Sequence, residues 1–179
     1  MSSVLAIDPT GRQREQLRRT FRPSEVRLLF IAESAPASGR FFYQGDSGLY
    51  RAMRDAFRMV DPAINDENFF AVFRASGCYL IDLCRRPVDD LDPKSRRAAC
   101  RAGEESLSAA ISELQPAMIA TLLRSIEGNV ERALVRTAWE GPIIHLPYPG
   151  RWAQHKRIFA SGVTPIVSEL ILRLPNPGH

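Results

Sequence analysis

The sequence is poor in cysteine and has no long apolar run. Its three cysteines, Cys78, Cys84 and Cys100, cannot form a closed set of disulfides, which predicts reduced thiols. No apolar segment approaches the roughly 20 residues that a membrane-spanning helix needs. Residues 1–19 lack the pattern of a signal peptide, because their apolar part is short and the charges follow it. We therefore expect a soluble, cytoplasmic protein without a membrane partner.

The sequence is also poor in lysine, so that its basic residues are almost all arginines. Of 24 lysines and arginines only Lys94 and Lys156 are lysines, and the formal net charge is +4. A basic balance permits binding to a polyanion such as nucleic acid. A genome of biased composition can give the same balance, so the charge alone does not identify DNA as a partner.

Short apolar runs alternate with helix-like segments along the chain. The runs predict buried strands at residues 26–32, 78–84, 117–123 and 143–146. Helical spacing, caps and proline stops predict helices at residues 8–22, 47–59, 94–114, 126–139 and 154–174. The alternation predicts a three-layer α/β/α sandwich with a central, mainly parallel four-stranded sheet. Without a repeat or a linker, we expect one domain over residues 1–179.

The segment from residue 26 to 57 combines a buried strand with an unusual loop. The strand stops at Glu33, and a loop rich in Ser, Ala, Pro and Gly leads to the aromatic run Phe41, Phe42 and Tyr43. A carboxylate at the carboxyl end of a buried strand, facing aromatic side chains, is typical of ligand sites in open α/β sheets. An ordinary strand–loop–helix connection with a solvated Glu33 is the alternative.

The other predicted strands also end in polar residues. Their carboxyl ends carry Asp82, followed by Arg85 and Arg86, and His145. Because the carboxyl ends of parallel strands lie along one edge of the sheet, we expect these side chains to converge with Glu33.

Four short motifs occur in order between residues 28 and 159. The first is Ala-Glu-Ser-Ala-Pro at 32–36, followed by Gly-Arg-Phe-Phe-Tyr at 39–43. The others are Cys-Arg-Arg-Pro at 84–87 with Cys-Arg at 100–101, Gln-Pro-Ala-Met-Ile-Ala-Thr-Leu at 115–122, and His-Leu-Pro-Tyr-Pro at 145–149. In this order they resemble the motifs of the uracil-DNA glycosylase superfamily, closest to the branch that carries an iron–sulfur cluster.

The sequence departs from that family at the cluster and at the base-reading position. Only Cys84 and Cys100 match cluster ligands, whereas a cluster normally needs four. Leu80 stands where the family commonly has an Asn that reads the uracil edge, with Asp82 nearby, and His145 lies one residue before the family's histidine. We therefore expect no cofactor and no metal, with both cysteines buried and inert.

The resemblance implies a DNA glycosylase that flips uracil out of DNA and hydrolyses its N-glycosidic bond, leaving an abasic site. It implies that Glu33 stabilises the oxocarbenium-like sugar and orients a water, and that His145 donates to the departing base. It places Phe42 on the face of the flipped base, with Phe41 or Tyr43 lining the pocket. We also count Asp82 among the substrate-binding candidates.

The expected partner is uracil-containing DNA, bound by a monomer. The residues expected to contact it are Arg85, Arg86, Arg151, Trp152 and Lys156. Of these, Arg151 or Trp152 would fill the space left by the flipped base.

Other interpretations of these residues are open at this stage. Residues 64–74 predict a short helix or a turn-rich connection, and core packing is the expected role of Phe69, Phe70 and Phe73. His145 could be a hydrogen-bonded core histidine. The protein could also be a non-catalytic nucleic-acid or nucleotide-binding module of the same fold, or a glycosylase for another deaminated base such as hypoxanthine.

Overall fold

A four-stranded, all-parallel sheet forms the centre of the fold. The computed structural model describes residues 9–150 and 152–174. The strands are β1 (Leu28–Ala32), β2 (Cys78–Asp82), β3 (Met118–Thr121) and β4 (Ile143–His145). The helices are α1 (Pro9–Thr20), α2 (Gly48–Val60), α3 (Phe69–Ala75), α4 (Pro93–Leu114), α5 (Glu127–Leu134) and α6 (Ala153–Leu172). The predicted α/β class and parallel sheet are confirmed.

The strand order β2-β1-β3-β4 contains one reversal of direction. From β1 the chain moves outward to β2, then returns across β1 to β3 and continues to β4. Because crossovers between parallel strands are right-handed, this reversal places α2 and α3 on one face of the sheet and α4 and α5 on the other. Helix α6 packs against α2, and α4 packs against α5, which gives the predicted three-layer sandwich.

The two inner strands have apolar side chains on both faces. All five residues of β1 are buried, and Leu29, Phe30 and Ile31 have no accessible surface. A strand covered by helices on both faces needs such a continuous apolar run. Strand β4 lies at the edge, is only half-buried, and ends in the exposed His145.

Most helix boundaries follow the capping signals in the sequence. At the start of α4, Asp92 accepts hydrogen bonds from the backbone N–H groups of Lys94 and Ser95, and Pro93 occupies the first turn. The predicted start of the first helix at Asp8 lies outside the described residues. Helix α5 ends at Leu134, short of the predicted residue 139. The segment after it is held differently, because the indole N–H of Trp139 donates to the carbonyl of Pro116 at 2.6 Å.

Aromatic side chains fill the core between α2, α3 and the loop after β1. Phe69 and Phe73 are fully buried and Phe70 is half-buried among other rings, in agreement with the expected packing role. The hydroxyl of Tyr43 accepts a hydrogen bond from the N–H of Leu80 at 2.8 Å and donates to its carbonyl at 3.0 Å. It thereby gives edge strand β2 the partners that a neighbouring strand would supply.

Across residues 9–150 and 152–174, no helix combines the length and the apolarity needed to span a membrane.

Candidate active site

The strand ends that carry the candidate residues meet at the reversal point of the sheet. Glu33 follows β1, and Thr121 ends β3, the strand that lies beside β1. The connections from these two adjacent strands leave toward opposite faces, and a crevice opens between such connections. His145 ends β4 next to Thr121, with which it is in register. Ligands of open α/β sheets bind at this type of position.

A groove of about 540 Å³ lies at this point, between Glu33 and helices α4 and α5. Its walls come from the first half of α4, from the turn after β3 and from α5. The residues that line it are Glu33, Pro93, Arg96, Arg97, Cys100, Arg101, Leu123, Ser125, Gly128, Asn129 and Arg132.

Glu33 is held at the edge of the groove by a two-pronged ion pair. Arg96 donates from Nε to Oε1 of Glu33 at 2.8 Å and from Nη2 to Oε2. The hydrogen bonds to Glu33 raise the pKa of Arg96 above its ordinary value. Cys100 Sγ lies 3.7 Å from Oε1, and the Glu33 side chain is only 11% exposed. This geometry fixes the plane of the carboxylate, because the guanidinium fork matches both of its oxygens.

His145 is oriented through one ring nitrogen. Its Nδ1 forms a 2.7 Å hydrogen bond with Oγ1 of Thr121, which is fully buried, and lies 3.7 Å from Oε1 of Glu127. The side chain is 44% exposed, and Nε2 has no hydrogen-bond partner among the described residues. His145 is therefore not a core histidine: its ring is held by a buried hydroxyl at one nitrogen and is accessible at the surface.

The two predicted catalytic residues lie at the carboxyl ends of β1 and β4, with β3 between these strands. Strand β4 lies two strand spacings from β1, roughly 10 Å across the sheet. Glu33 and His145 therefore flank the end of β3, with Thr121 between them. Of these three residues, only Glu33 lines the groove.

The predicted aromatic pocket is corrected by the burial of its members. Phe41, Phe42 and Tyr43 are each less than 5% exposed, and none of them lines the groove. Phe42 packs against Tyr43, Phe70 and other rings, with centroid distances of 5.0 Å and 5.7 Å to these two. Core residues contact both the faces and the edges of the Phe42 ring. In this conformation Phe41, Phe42 and Tyr43 therefore offer no surface to a flipped base.

Asp82 is likewise placed in a structural ion pair and not in an open site. Its Oδ2 accepts from Nη2 of Arg18 at 2.6 Å, and both side chains are largely buried. Burial raises the pKa of Asp82, and the charge of Arg18 only partly opposes this. The pair docks α1 on the end of β2. The predicted contact of Asp82 with substrate is therefore corrected to a packing role.

The residues predicted to contact DNA follow the carboxyl ends of the two outer strands, β2 and β4. Arg85 and Arg86 are exposed after β2, whereas Trp152, 66% exposed, and Lys156 lie at the start of α6 after β4. Arg151 lies outside the described residues. β2 and β4 are the two outer strands, so the two groups follow opposite sides of the sheet. Their contact with DNA stays a prediction.

The segment after β4 contributes a residue to which sequence reasoning gave no role. Burial raises the pKa of Tyr148, and the charges of Asp82 and Asp89 raise it further. Charges act over such a range only when the groups are near each other. Tyr148 therefore lies within range of Asp82, which ends β2, and of Asp89.

The cysteines do not provide a binding site for an iron–sulfur cluster. Sγ of Cys84 lies 3.7 Å from Sγ of Cys100, and both are buried, as is Cys78 within β2. Burial raises the pKa values of the Cys84 and Cys100 thiols. Two thiols are half of the set that a cluster needs. Within the described ranges, no group of three or more His, Cys, Asp or Glu side chains is arranged to hold a metal ion.

Sequence reasoning also missed the arginines of the groove and the partners of His145. These are Arg96, Arg97, Arg101, Arg132, Thr121 and Glu127. One signal for the arginines was available: α4 has no acidic residue in its first turn, where helices favour negative charge, and has Lys94, Arg96 and Arg97 close to its start. Such a break of a local rule is expected at functional sites.

Comparison with known proteins gives no further assignment: no protein-family model matches the chain, and no curated protein matches it significantly.

Proposed function

We propose that the chain is a DNA glycosylase that flips uracil from DNA and hydrolyses its N-glycosidic bond. The observation that supports this best is the position of Glu33 and His145 on either side of β3, at the reversal point of a parallel sheet. A carboxylate and an imidazole at such a crevice suit a reaction in which positive charge develops on a sugar and negative charge on a leaving base.

Glu33 is the group that acts at the sugar in this proposal. The fork of Arg96 keeps the carboxylate in one orientation, so little reorganisation is needed when charge develops nearby. Each carboxylate oxygen has further acceptor capacity beyond its bond to Arg96. That capacity allows Glu33 to orient a water molecule for attack on the anomeric carbon.

His145 is the group that acts at the leaving base. When Nδ1 accepts the hydrogen bond of the Thr121 hydroxyl, the neutral ring carries its proton on Nε2. That N–H can donate a hydrogen bond to a carbonyl oxygen of the departing uracil anion and so stabilise its negative charge. Thr121 then acts as a positioning residue, since its hydrogen bond holds the ring.

The base-stacking role falls to exposed aromatic residues after β4, because Phe42 is buried. Tyr148 and Trp152 are 38% and 66% exposed. Both follow the strand that ends in His145. Stacking of a base on an aromatic ring contributes roughly 1–3 kcal/mol. We expect the enzyme to act as a cytoplasmic monomer of 20.1 kDa.

A non-catalytic nucleic-acid-binding module is the second candidate. The observation that favours it is the same ion pair: both oxygens of Glu33 are bonded to Arg96, as in a purely structural salt bridge. A glycosylase for hypoxanthine is a variant of the first candidate, since no base-reading Asn is present at Leu80.

The decisive experiment measures abasic-site formation on oligonucleotides that contain one uracil or one hypoxanthine. We expect cleavage of the uracil strand by the wild type and a single-turnover rate at least ~10²-fold lower for Glu33→Gln. His145→Gln should also lower the rate, with DNA binding retained in both variants. Glu67→Gln, which removes an exposed acid beyond the site, is the matched control.

The outcomes separate the candidates. Wild-type protein that binds DNA but releases neither base would support the binding module. Release of hypoxanthine alone would change the substrate and keep the chemistry. Cleavage by Glu33→Gln at the rate of the Glu67→Gln control would remove Glu33 from the mechanism.

A further inference from the structure

The first half of α4 carries positive charge where a helix disfavours it. Lys94, Arg96, Arg97 and Arg101 follow the N-cap within nine residues, and the first turn contains no acid. The N-terminus of a helix already has a partial positive charge, so these cations repel it and each other. Such an arrangement costs stability unless an anion is bound. Asp92 at the N-cap and Glu33 opposite Arg96 offset part of this repulsion, and neither carboxylate is paired with Arg97 or Arg101.

Two of the groove arginines have partners and two do not. Arg96 is paired with Glu33, and Arg132 on the opposite wall is paired with Glu104. Arg97 and Arg101 are exposed and form no ion pair within the part of the chain that the structure describes. The groove is thus lined by four guanidinium groups and one carboxylate, Glu33. Arg97 and Arg101 lack a direct ion pair among the described residues, although the charge of Arg101 acts on the nearby Glu104.

Arg97 and Arg101 form one cationic strip along α4. They are four residues apart, so they lie on one side of the helix about 6 Å apart along its axis. Each follows a residue that contacts Glu33, namely Arg96 and Cys100. The strip is therefore turned by about 100° around the helix from the face that meets Glu33. An anion bound to the strip stays clear of the Glu33 carboxylate, with Arg96 between the two.

We propose that this groove is a phosphate-binding site in which Arg97 and Arg101 hold phosphate groups beside Glu33. Guanidinium groups bind phosphate oxygens with two parallel hydrogen bonds, and the exposed Ser125 supplies a hydroxyl on the other wall. The assignment of the phosphates to a DNA strand rests on the proposed function. It gives that strand a path along α4, on the side of the sheet away from α2 and α6. A free nucleotide is the other source of the same chemistry.

The test compares two variants of equal charge change. Arg97→Gln/Arg101→Gln removes the strip, whereas Arg58→Gln/Arg173→Gln removes two exposed arginines of the opposite layer, one on α2 and one at the C-cap of α6. The measurement is the affinity for an undamaged, fluorescein-labelled oligonucleotide, single- and double-stranded, as a function of NaCl concentration. Each phosphate contact adds about 0.7 to 0.9 to the slope of log affinity against log salt.

We expect the strip variant to bind at least about fivefold more weakly than the control variant and to lose about one to two from the slope. Arg97→Lys/Arg101→Lys, which keeps the charge, should recover most of the slope. Equal slopes and affinities for the strip and control variants would overturn the proposal. Deoxyuridine monophosphate and inorganic phosphate are added as competitors: displacement at micromolar concentration, lost in the strip variant, assigns the site to a free nucleotide and overturns the DNA path.

Because the probe DNA is undamaged, this test does not depend on catalysis. A wild type that binds through the strip but releases no base leaves the groove assignment standing and contradicts the proposed function. Conversely, if the strip variant still releases the base and its binding shows an unchanged salt dependence, the proposed function stands and the groove assignment is contradicted.

Discussion

Glu104 connects the two walls of the groove and provides the sharpest test of this geometry. Its Oε1 accepts from Nδ2 of Asn129 at 2.8 Å and from Nε of Arg132 at 2.9 Å, and its side chain is only 2% exposed. Glu104 lies on α4 and both donors lie on α5. The perturbation is Glu104→Leu, which keeps the approximate volume and removes the acceptor, together with Glu104→Gln, which keeps an acceptor and removes the charge.

The magnitude follows from what each partner can do once Glu104 is gone. Arg132 is about half exposed and can turn to water, so the loss of its pairing costs no more than about 1 kcal/mol. Asn129 is buried, and its amide without an acceptor costs about 1–3 kcal/mol. We therefore expect Glu104→Leu to lower the free energy of unfolding by about 2–4 kcal/mol, and Glu104→Gln by about 1–2 kcal/mol.

The pH dependence gives a second, independent readout. Burial raises the pKa of Glu104, but the hydrogen bonds from Arg132 and Asn129 outweigh it, so the net pKa lies below its ordinary value. The stabilisation is therefore present above the ordinary glutamate pKa and is lost as the pH falls through the lowered one. The difference between the wild type and Glu104→Gln should be constant near neutral pH and should shrink in acid, below about pH 4.

The assay is urea and thermal unfolding of the variants beside Glu105→Leu and Glu105→Gln. Glu105 is the exposed neighbour on the same helix, and its variants should stay within about 0.5 kcal/mol of the wild type. In a chain of this size 1 kcal/mol corresponds to about 2–4 °C, so Glu104→Leu should lower Tm by roughly 5–15 °C. A Glu104→Leu protein as stable as Glu105→Leu, or a Glu104→Gln difference that persists unchanged in acid, would refute the reasoning.

Two further predictions concern tyrosine hydroxyls. Tyr43→Phe leaves the N–H and C=O of Leu80 without their partner, and we expect a loss of about 2–4 kcal/mol in urea unfolding, whereas a loss under 0.5 kcal/mol would contradict the pairing. Burial, together with the hydrogen bond to Asp66, raises the pKa of Tyr50 to about 12. The neutral hydroxyl therefore contributes fully to stability below pH 10, and this contribution is lost as the pH rises toward 12. The free energy of unfolding, measured from pH 9 to 12, should therefore fall less steeply for Tyr50→Phe than for the wild type. Parallel curves would show that this hydroxyl does not contribute to the pH dependence.

Much of the frame could be predicted because its signals are local. A continuous apolar run such as residues 28–32 fits only a strand covered on both faces, and Asp92-Pro93 marks the start of α4 by cap chemistry alone. The reversal of strand order then brings Glu33 and His145 to one edge without further information. These parts depend on periodicity, capping and handedness, all of which can be read along the chain.

The partners of the site residues could not be predicted, because they come from distant positions. Arg96 lies 63 residues after Glu33, and Arg18 lies 64 residues before Asp82. Periodicity states which face of an element is buried but not which side chain of another element meets it. The same limit explains Phe42, whose sequence position beside the active-site loop suits both a pocket and a core; only the packing of α3 against it decides between the two.

The bond between Tyr43 and Leu80 also bears on how the molecule avoids wrong assembly. Strand β2 is an outer strand, and unpaired backbone groups on such a strand invite pairing with a strand of another molecule. Tyr43 occupies two of these groups, and it lies at the end of the loop that carries Glu33. A movement that swung the aromatic run outward to grip a ligand would uncover that edge. The loop that carries the candidate carboxylate must therefore stay in place if β2 is to avoid pairing with strands of other molecules and aggregating.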